Sequence, residues 1–290
     1  MMPNDVLNDS RIGRLVELAL MEDVGLGDIT TDAIVPEMKF GRGEFLCKEA
    51  GVVAGLDVAG LVFRYCDHSI TVTPVVPEGD VVPAGQVIAR VDGDARSILR
   101  GERTALNFLQ RMSGIATLTR KYVDAVAGTP ARITDTRKTA PGLRVLDKWA
   151  VRLGGGVNHR FGLDDMVLIK DNHVVAAGGI SNAIALCREF VNKEGLNVSI
   201  EVETRSLTEV RDALASGGIQ RIMLDNFPLA EMRRAVELIE HRFEVEASGG
   251  VSLETVRSIA DTGVDFISVG ALTHSVKALD ISLELTHTQD

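Results

Sequence analysis

The sequence predicts an α/β protein in which a helix and a small β-rich module precede a TIM-like α/β barrel. Beyond residue 130, strand-length apolar runs alternate with helical segments, as in parallel strands joined by crossover helices. The last strands recur at the close spacing of a β/α barrel, and nearly every strand is followed by polar residues, which a barrel collects at one mouth. An open doubly wound sheet would spread those residues along a line. We predict the first domain over residues 1–112 and the barrel over 113–275, with the tail 276–290 packed on the first domain.

The composition limits the classes of function. The 290 residues suffice for one large or two ordinary domains. The net charge of −10 argues against broad nucleic-acid binding, which needs a basic face. Cys47, Cys66 and Cys187 lack metal-ligand or redox spacing, which is typical of reduced thiols in a cytosolic protein. No apolar stretch is long enough to span a bilayer, so we expect a cytoplasmic protein with no nucleic-acid or membrane partner.

The N-terminal region begins with a helix and continues with strands. Residues 11–23 carry one broad apolar side, which predicts an amphipathic helix with Ser10 as its N-cap. Residues 33–95 are rich in strand patterns, with alternating apolar and polar residues over 43–48 and 70–75. This part of the chain therefore predicts a small β-rich module that follows a helix.

A helix that carries several arginines is predicted over residues 97–112, where an apolar stripe runs along one face. Arg100, Arg103 and Arg111 lie at helical spacing on another face. Such a row is as typical of a solvated basic surface as of an anion-binding one. The Met-Ser-Gly run that follows predicts a break, with a second helix over 115–127.

Cations gather beyond the first barrel strand, which is predicted at residues 131–134. Arg137 and Lys138 follow that strand just before a Pro-Gly turn, and His159 with Arg160 comes soon after. Concentrated cations favour an anionic substrate despite the net negative charge, because the local field matters more than the total. The later strands are predicted at 166–169, 198–202, 221–224, 243–246 and 266–269, with helices near 180–194, 206–217, 229–241 and 252–262.

Carboxylates accompany the middle strands of the predicted barrel. Glu201 and Glu203 share one face of a strand, because side chains alternate along it, and Asp225 ends the next strand. Two carboxylates on neighbouring strand ends suit Mg²⁺ or sugar hydroxyls. The alternative is that they pair with lysine or arginine inside the barrel. The sequence leaves open whether Glu201 or Glu203 is the principal ligand.

Two glycine-containing loops follow the last two strands of the predicted barrel: Ser248-Gly249-Gly250 and Val269-Gly270-Ala271. At this place a β/α barrel commonly holds a phosphate on backbone N–H groups, and glycine permits the close approach. The alternative for each loop is an ordinary turn. The two loops together favour a phosphate site, to which His274 adds a candidate donor.

Seven short motifs follow one another along the chain: Gly101-Glu102-Arg103-Thr104-Ala105-Leu106-Asn107, Asp135-Thr136-Arg137-Lys138-Thr139-Ala140-Pro141-Gly142-Leu143-Arg144, Gly154-Gly155-Gly156 with His159-Arg160, Leu168-Ile169-Lys170-Asp171-Asn172-His173, Leu224-Asp225-Asn226, Glu246-Ala247-Ser248-Gly249-Gly250 and Ser268-Val269-Gly270. In this combination the chain resembles the quinolinate phosphoribosyltransferase family (nicotinate-nucleotide pyrophosphorylase, carboxylating) over about residues 20–285.

The resemblance implies a pentosyltransferase of NAD biosynthesis. Such an enzyme transfers phosphoribosyl from phosphoribosyl pyrophosphate to quinolinate with decarboxylation, and it gives nicotinate mononucleotide, pyrophosphate and CO₂. The resemblance also implies a requirement for Mg²⁺ and a TIM-like, incomplete α/β barrel beside an N-terminal α/β sandwich-like domain. Finally, it implies a homodimer in which Arg103 reaches into the neighbouring subunit's site.

The resemblance further implies roles for individual residues. Arg137, Lys138 and Arg160 are expected to bind the carboxylates of quinolinate, with His159 close by and Thr136 in the same substrate loop. Phosphoribosyl pyrophosphate and its metal are expected at Lys170, Glu203 and Asp225, which with Lys138 form the implied catalytic set. The 5′-phosphate is expected at the two glycine-containing loops, on Ser248, Gly249, Gly250 and Gly270.

Three other functions remain as alternatives. A Schiff-base barrel lyase would use Lys170 as its nucleophile, although such a lysine needs an apolar pocket and here Asp171 follows it. A non-catalytic phosphate-sensing barrel would not need the carboxylates and arginines. A transferase that uses nicotinate would have one substrate carboxylate to bind, whereas the cations of this sequence suffice for two.

Overall fold

The computed structural model describes residues 9–286, so that the ends of the predicted first domain and tail, residues 1–8 and 287–290, lie outside the described part. The elements in chain order are α1 (Ser10–Val24), α2 (Ile29–Ile34), β1 (Phe40–Cys47), β2 (Gly51–Val52), α3 (Leu56–Cys66), β3 (Thr71–Pro74), β4 (Val81–Val82), β5 (Val87–Asp94), α4 (Ala95–Ala125), β6 (Arg132–Thr134), α5 (Arg144–Leu153), β7 (Val167–Ile169), α6 (Asp171–Ala177), α7 (Ile180–Lys193), β8 (Ile200–Thr204), α8 (Leu207–Ser216), β9 (Arg221–Asp225), α9 (Leu229–Ile239), β10 (Glu244–Ser248), α10 (Val256–Ala260), β11 (Phe266–Ser268), α11 (Ala271–His274) and β12 (Ile281–Thr286).

The chain divides into two compact units. The first unit contains residues up to 120, residues 139–155 and residues from 272 onward. The second unit contains residues 121–138 and 156–271. The domain limits predicted from the sequence stay a prediction, since α4 continues across residue 112.

The predicted break after residue 112 is wrong, because α4 is one helix from Ala95 to Ala125. Gly114 suggested the break, since glycine costs about 1 kcal/mol relative to alanine inside a helix. In the structure a Cβ at Gly114 would collide with the backbone carbonyl oxygen of Lys277. The glycine therefore permits a close backbone approach within the first unit and does not end the helix.

The first unit is built on an antiparallel sheet in the order β12-β1-β5-β3. The strand from the tail pairs with β1 in a register that places Glu284 opposite Glu44. The fully buried rings of Phe45 and Phe63 meet edge to face, with centroids 6.1 Å apart, in the core. The N-cap of α1 is Asp9, which accepts a hydrogen bond from the Arg11 N–H at 2.9 Å. The expectation that Ser10 is the cap is therefore wrong by one residue.

The second unit is built on a parallel sheet in the order β6-β11-β10-β9-β8-β7. Helices join the successive strands, and Val157 adds a parallel bridge beside Thr134 at the β6 edge. Buried aliphatic side chains such as Ile133, Val202 and Ile222 occupy the strands. Because all six strands are parallel, their carboxyl ends lie at the same edge of the sheet, where the polar residues follow.

Among residues 9–286, no single helix is long and apolar enough to cross a membrane. Only α6 and α7 together reach that length and apolar composition, and they are bent by 89° relative to each other.

Candidate active site

The candidate site lies at the carboxyl edge of the parallel sheet in the second unit. The loop after β6 carries Thr136, Arg137 and Lys138, and the segment after Val157 carries His159 and Arg160. The other predicted residues of this unit follow β7 to β11 in turn: Lys170, Glu203, Asp225, Ser248, Gly249, Gly250, Val269, Gly270 and Ala271. The regular alternation of strands and helices thus brings residues from distant parts of the chain to one edge.

Three carboxylates of this edge surround one guanidinium. Arg205 follows β8, and its Nη2 lies 2.9 Å from Asp171 Oδ2 and 3.5 Å from Glu203 Oε1. Its Nε lies 3.6 Å from Asp225 Oδ2. Lys170 Nζ lies 3.8 Å from Glu203 Oε2 on the other side. The carboxylates therefore pair with cations, and the same oxygens form a donor set of the kind that Mg²⁺ prefers.

Glu203 is the most buried of these carboxylates, with a side chain 9% exposed. Its pKa is raised because burial removes solvent from the charged form and because Asp225 is close, while Lys170 and Arg205 oppose the shift. Such a carboxyl favours an additional positive charge nearby. The backbone N–H of Lys170 donates to His173 Nδ1 at 2.9 Å, which fixes the start of α6 beside this group.

A buried aspartate anchors the segment that carries His159 and Arg160. Asp135 is fully buried and accepts hydrogen bonds from Asn158 Nδ2 at 2.6 Å and from the His159 backbone N–H at 2.9 Å. Arg160 Nη1 donates to the Met166 carbonyl oxygen at 3.1 Å. The pKa of Arg160 is lowered, first by burial and then by the nearby charge of Arg137. The segments that carry Arg137 and Arg160 lie side by side, because Val157 bridges Thr134, and two positive charges on this side of the edge favour an anion.

A polar cluster lies beneath these arginines, inside the sheet. His159 Nε2 lies 3.0 Å from Glu201 Oε2 and 3.5 Å from Glu246 Oε2, and both glutamates are fully buried. Arg221 Nη1 lies 2.8 Å from Glu246 Oε2. Burial raises the pKa of each glutamate to about 7. The ligand atoms of His159, Glu201 and Glu246 lie within 4.8 Å of one another, close enough for a metal ion, but Arg221 already supplies a positive charge there.

The imidazole of His159 is oriented by the chain itself. Its Nδ1 accepts a hydrogen bond from the Arg160 backbone N–H at 2.8 Å, so Nε2 carries the proton and faces Glu201. His159 thus connects Arg160 to the interior of the sheet. The two glutamates that the sequence left as alternatives occupy different surroundings, because Glu201 lies in this cluster and Glu203 lies beside Lys170.

The glycine-containing loop after β10 has a conformation that requires glycine. Gly249 has φ +95°, and a Cβ there would collide with the side chain of Asn226. Asn226 itself has φ 56°, and its backbone N–H donates to the Ser248 carbonyl oxygen at 2.9 Å. Its Nδ2 donates to Asp225 Oδ2 at 3.1 Å. In the loop after β11, the Val269 N–H donates to the Thr134 carbonyl oxygen at 2.9 Å and so belongs to the sheet ladder.

Two predicted site residues belong to the first unit. Arg103 is exposed on α4. His274 ends α11, with Nδ1 2.7 Å from Ser275 Oγ.

Sequence reasoning assigned no role to several polar residues of the site. Arg205 and Asn226 each come directly after a strand, and that position was the signal that identified Lys170 and Asp225. Glu246 lies two residues before the end of β10 and is buried. It occupies the kind of strand position whose side chain lines the interior of a barrel. The alternation of strand faces was therefore the available signal.

Comparisons with family models and with related proteins agree on one family. The model of the quinolinate phosphoribosyl transferase N-terminal domain matches residues 28–113, and that of the C-terminal domain matches residues 115–284. The chain is 52% identical over 286 residues to the chloroplastic nicotinate-nucleotide pyrophosphorylase [carboxylating] of Arabidopsis thaliana, covering 93% of this chain and 82% of that protein. It is 42% identical over 280 residues to the probable nicotinate-nucleotide pyrophosphorylase [carboxylating] of Bacillus subtilis, covering 97% of this chain and 95% of that protein.

A solved structure shows the same architecture. The nicotinate-nucleotide pyrophosphorylase from Francisella tularensis superposes with a TM-score of 0.91 at 39% identity, covering 99% of this chain and 98% of that chain. The predicted α/β fold class and the predicted family are both confirmed. The chain belongs to the quinolinate phosphoribosyltransferase family.

Proposed function

We propose that this protein transfers the phosphoribosyl group of phosphoribosyl pyrophosphate to quinolinate. One carboxylate is lost as CO₂, and the products are nicotinate mononucleotide and pyrophosphate, for NAD biosynthesis. Family membership supports this reaction. The observation that carries it is the division of one sheet edge into a side with two close arginines, Arg137 and Arg160, and a side with three carboxylates around Arg205.

The arginine side suits a planar diacid. Arg137 and Arg160 lie close together, and burial makes their repulsion costly, so two carboxylates between them would relieve it. Guanidinium groups bind carboxylates in a bidentate manner, which also fixes the plane of the pyridine ring. We assign quinolinate to these two residues together with Thr136 and Lys138, and we assign His159 the role of orienting Arg160 from below.

The carboxylate side suits the phosphoribosyl donor and Mg²⁺. Glu203 and Asp225 offer hard oxygen ligands, and Asp171 lies beside the same guanidinium. Bound there, Mg²⁺ supplies positive charge to the departing pyrophosphate. Lys170, which lies 3.8 Å from Glu203, offers a second cation to the same group. The 5′-phosphate is assigned to the middle of the edge, between these two sides, at the loops after β10 and β11 that hold Ser248, Gly249, Gly250, Gly270 and Ala271.

The reaction follows from this placement. The pyridine nitrogen attacks the anomeric carbon while pyrophosphate leaves, and Glu203 and Asp225 stabilise the oxocarbenium character of the sugar. The arginines hold the ring so that its nitrogen faces that carbon. The ring nitrogen becomes cationic on ribosylation, and its positive charge stabilises the electron pair that stays on the adjacent ring carbon when the carboxylate departs as CO₂. A proton then takes the place of the carboxylate.

We also propose that the active form is a homodimer in which Arg103 of one subunit binds the quinolinate held by the other. An exposed arginine on α4 supports this assignment, because a third guanidinium near the diacid would strengthen its binding. We also propose that the chain divides into two domains near residue 112 and that the protein is cytoplasmic.

Product analysis tests the proposed function. Purified protein is incubated with Mg²⁺, phosphoribosyl pyrophosphate and an equimolar mixture of quinolinate and nicotinate, each with a distinct isotope label. We expect nicotinate mononucleotide that carries the quinolinate label only. Product formed from nicotinate would contradict the diacid assignment, and borohydride trapping of a carbonyl substrate on Lys170 would favour the Schiff-base lyase.

A further inference from the structure

Arg205 is a cation inside the acidic group of the site, and it has no place in the proposed reaction. It follows β8 and lies at the centre of three carboxylates from three different strand ends. Its Nη2 lies 2.9 Å from Asp171 and 3.5 Å from Glu203, and its Nε lies 3.6 Å from Asp225. A single guanidinium therefore contacts, through Nε and Nη2, acids at the ends of three neighbouring strands.

The backbone of Arg205 is held in place while its side chain is accessible to solvent. The backbone N–H donates to Glu209 Oε2 at 2.6 Å, and Ser206 caps the following helix by accepting from the Glu209 N–H. The side chain, by contrast, is 53% exposed. A fixed base with an exposed head lets the guanidinium rotate away from the carboxylates without any change in the sheet.

The guanidinium and a divalent cation require the same oxygens. The carboxylates that Arg205 contacts include Glu203 and Asp225, the two that we assign to the metal. The side chains of Glu203 and Asp225 are only 9% and 17% exposed, so a nearby positive charge stabilises their ionised forms in the free protein. A cation that enters the group has to displace the guanidinium, because two positive charges on one carboxylate pair repel each other.

We propose that Arg205 is an exchangeable counter-ion: it pairs with Asp171, Glu203 and Asp225 in the free protein and is displaced onto the pyrophosphate group when the donor enters with its divalent cation. This inference rests on the proposed function. It makes Arg205 a positioning residue with two opposite effects, since it competes with a metal ion that arrives alone and supports one that arrives with pyrophosphate. The free protein thereby selects the metal complex of the donor over the bare ion.

Binding measurements on Arg205→Ala test the exchange. Mn²⁺ alone is titrated into the substrate-free protein and followed by electron paramagnetic resonance, and pyrophosphate with Mg²⁺ is titrated by calorimetry, both at low ionic strength. Loss of a charge that contacts three carboxylates should tighten Mn²⁺ binding on the order of tenfold and weaken pyrophosphate binding by about the same factor. Arg205→Lys keeps the charge but cannot bridge three acids, so it should shift both affinities in the same directions by less.

Arg257→Ala is the matched control. Arg257 is equally exposed, at 55%, and its Nε lies 2.9 Å from a single carboxylate, Asp261, so its removal should leave both affinities unchanged. Equal or weaker Mn²⁺ binding by Arg205→Ala, or unchanged pyrophosphate binding, would overturn the exchange. Neither titration depends on turnover, so a wild-type protein that forms no nicotinate mononucleotide would refute the proposed function alone.

Discussion

The buried charge cluster of the second unit allows a stability prediction with a defined magnitude. Arg221 contacts Glu246 at 2.8 Å and Glu244 at 2.9 Å, and its guanidinium lies 3.8 Å from the centre of the Phe266 ring. Glu201 and Glu246 are both fully buried. Arg221→Met keeps most of the side-chain volume and removes the positive charge that these two carboxyls share.

The expected cost depends on pH. Burial raises the pKa of Glu201 and of Glu246 from an ordinary value of 4.5 to about 7, and such a rise is equivalent to about 3 kcal/mol per carboxyl as an upper bound. A carboxyl with a higher pKa in the folded state costs no stability below about pH 4.5, and the cost grows as the pH rises toward 7. Without Arg221 the charged forms lose their cation, so the cost above pH 7 increases further.

Urea unfolding followed by far-ultraviolet circular dichroism measures this cost. We expect Arg221→Met to lower the free energy of unfolding by about 3–5 kcal/mol at about pH 8, as for other broken buried ion pairs. At about pH 5.5 both carboxyls are largely protonated, so we expect a loss of about 1–2 kcal/mol from packing and the cation–π contact. Adding Glu246→Gln to Arg221→Met removes one buried charge and should restore about half of the loss at the higher pH.

Arg132→Met is the matched control. Arg132 stacks on the other side of the same ring, with Cζ 4.1 Å from its centre, and lies 3.7 Å from Glu244, but its side chain is 55% exposed. Among the ion pairs of residues 9–286, Arg132 pairs with Glu244 and with neither Glu201 nor Glu246. Its removal should therefore lower the free energy of unfolding by less than about 1 kcal/mol at both pH values. An equal cost for the two variants, or a cost for Arg221→Met that does not change with pH, would refute the reasoning.

Three further predictions concern ligands. Arg137→Ala and Arg160→Ala should each weaken quinolinate binding by about tenfold or more and phosphoribosyl pyrophosphate binding much less; calorimetry that gives equal losses would contradict the assignment. Inactive Arg103→Ala and Arg137→Ala chains, when mixed and allowed to exchange subunits, should regain part of the activity, and a mixture that stays inactive argues against a shared site. Gly249→Ala should weaken phosphoribosyl pyrophosphate binding about tenfold or more and leave quinolinate binding unchanged. The reason is that the new Cβ collides with Asn226 at a position with positive φ. Unchanged affinity for phosphoribosyl pyrophosphate would exclude a role for this loop.

The sequence was most informative for site residues that can be predicted from their type and their position at the end of a strand. Lys170, Glu203 and Asp225 come at or just after apolar runs, and the shared direction of parallel strands brings such residues to one edge. The seven motifs then specified the family, which the domain models confirm. These predictions depend on patterns within short segments, which can be read from a single sequence.

The remaining features depend on contacts between distant segments. His159, Glu201 and Glu246 come from three separate elements, and nothing local indicates that they meet. The helix break expected near Gly114 failed for the same reason, because the residue that explains this glycine, Lys277, lies far away in the chain. The role of Arg205 required the distances to acids on three strand ends.

The release of labelled CO₂ shows whether phosphoribosyl transfer to quinolinate is coupled to decarboxylation. Quinolinate labelled with ¹⁴C in the carboxylate next to the ring nitrogen is incubated with the protein, with and without phosphoribosyl pyrophosphate and Mg²⁺. We expect ¹⁴CO₂ only when both are present, in an amount equal to the pyrophosphate formed. Release of ¹⁴CO₂ without phosphoribosyl pyrophosphate, or pyrophosphate formed from quinolinate without ¹⁴CO₂, would contradict this coupling.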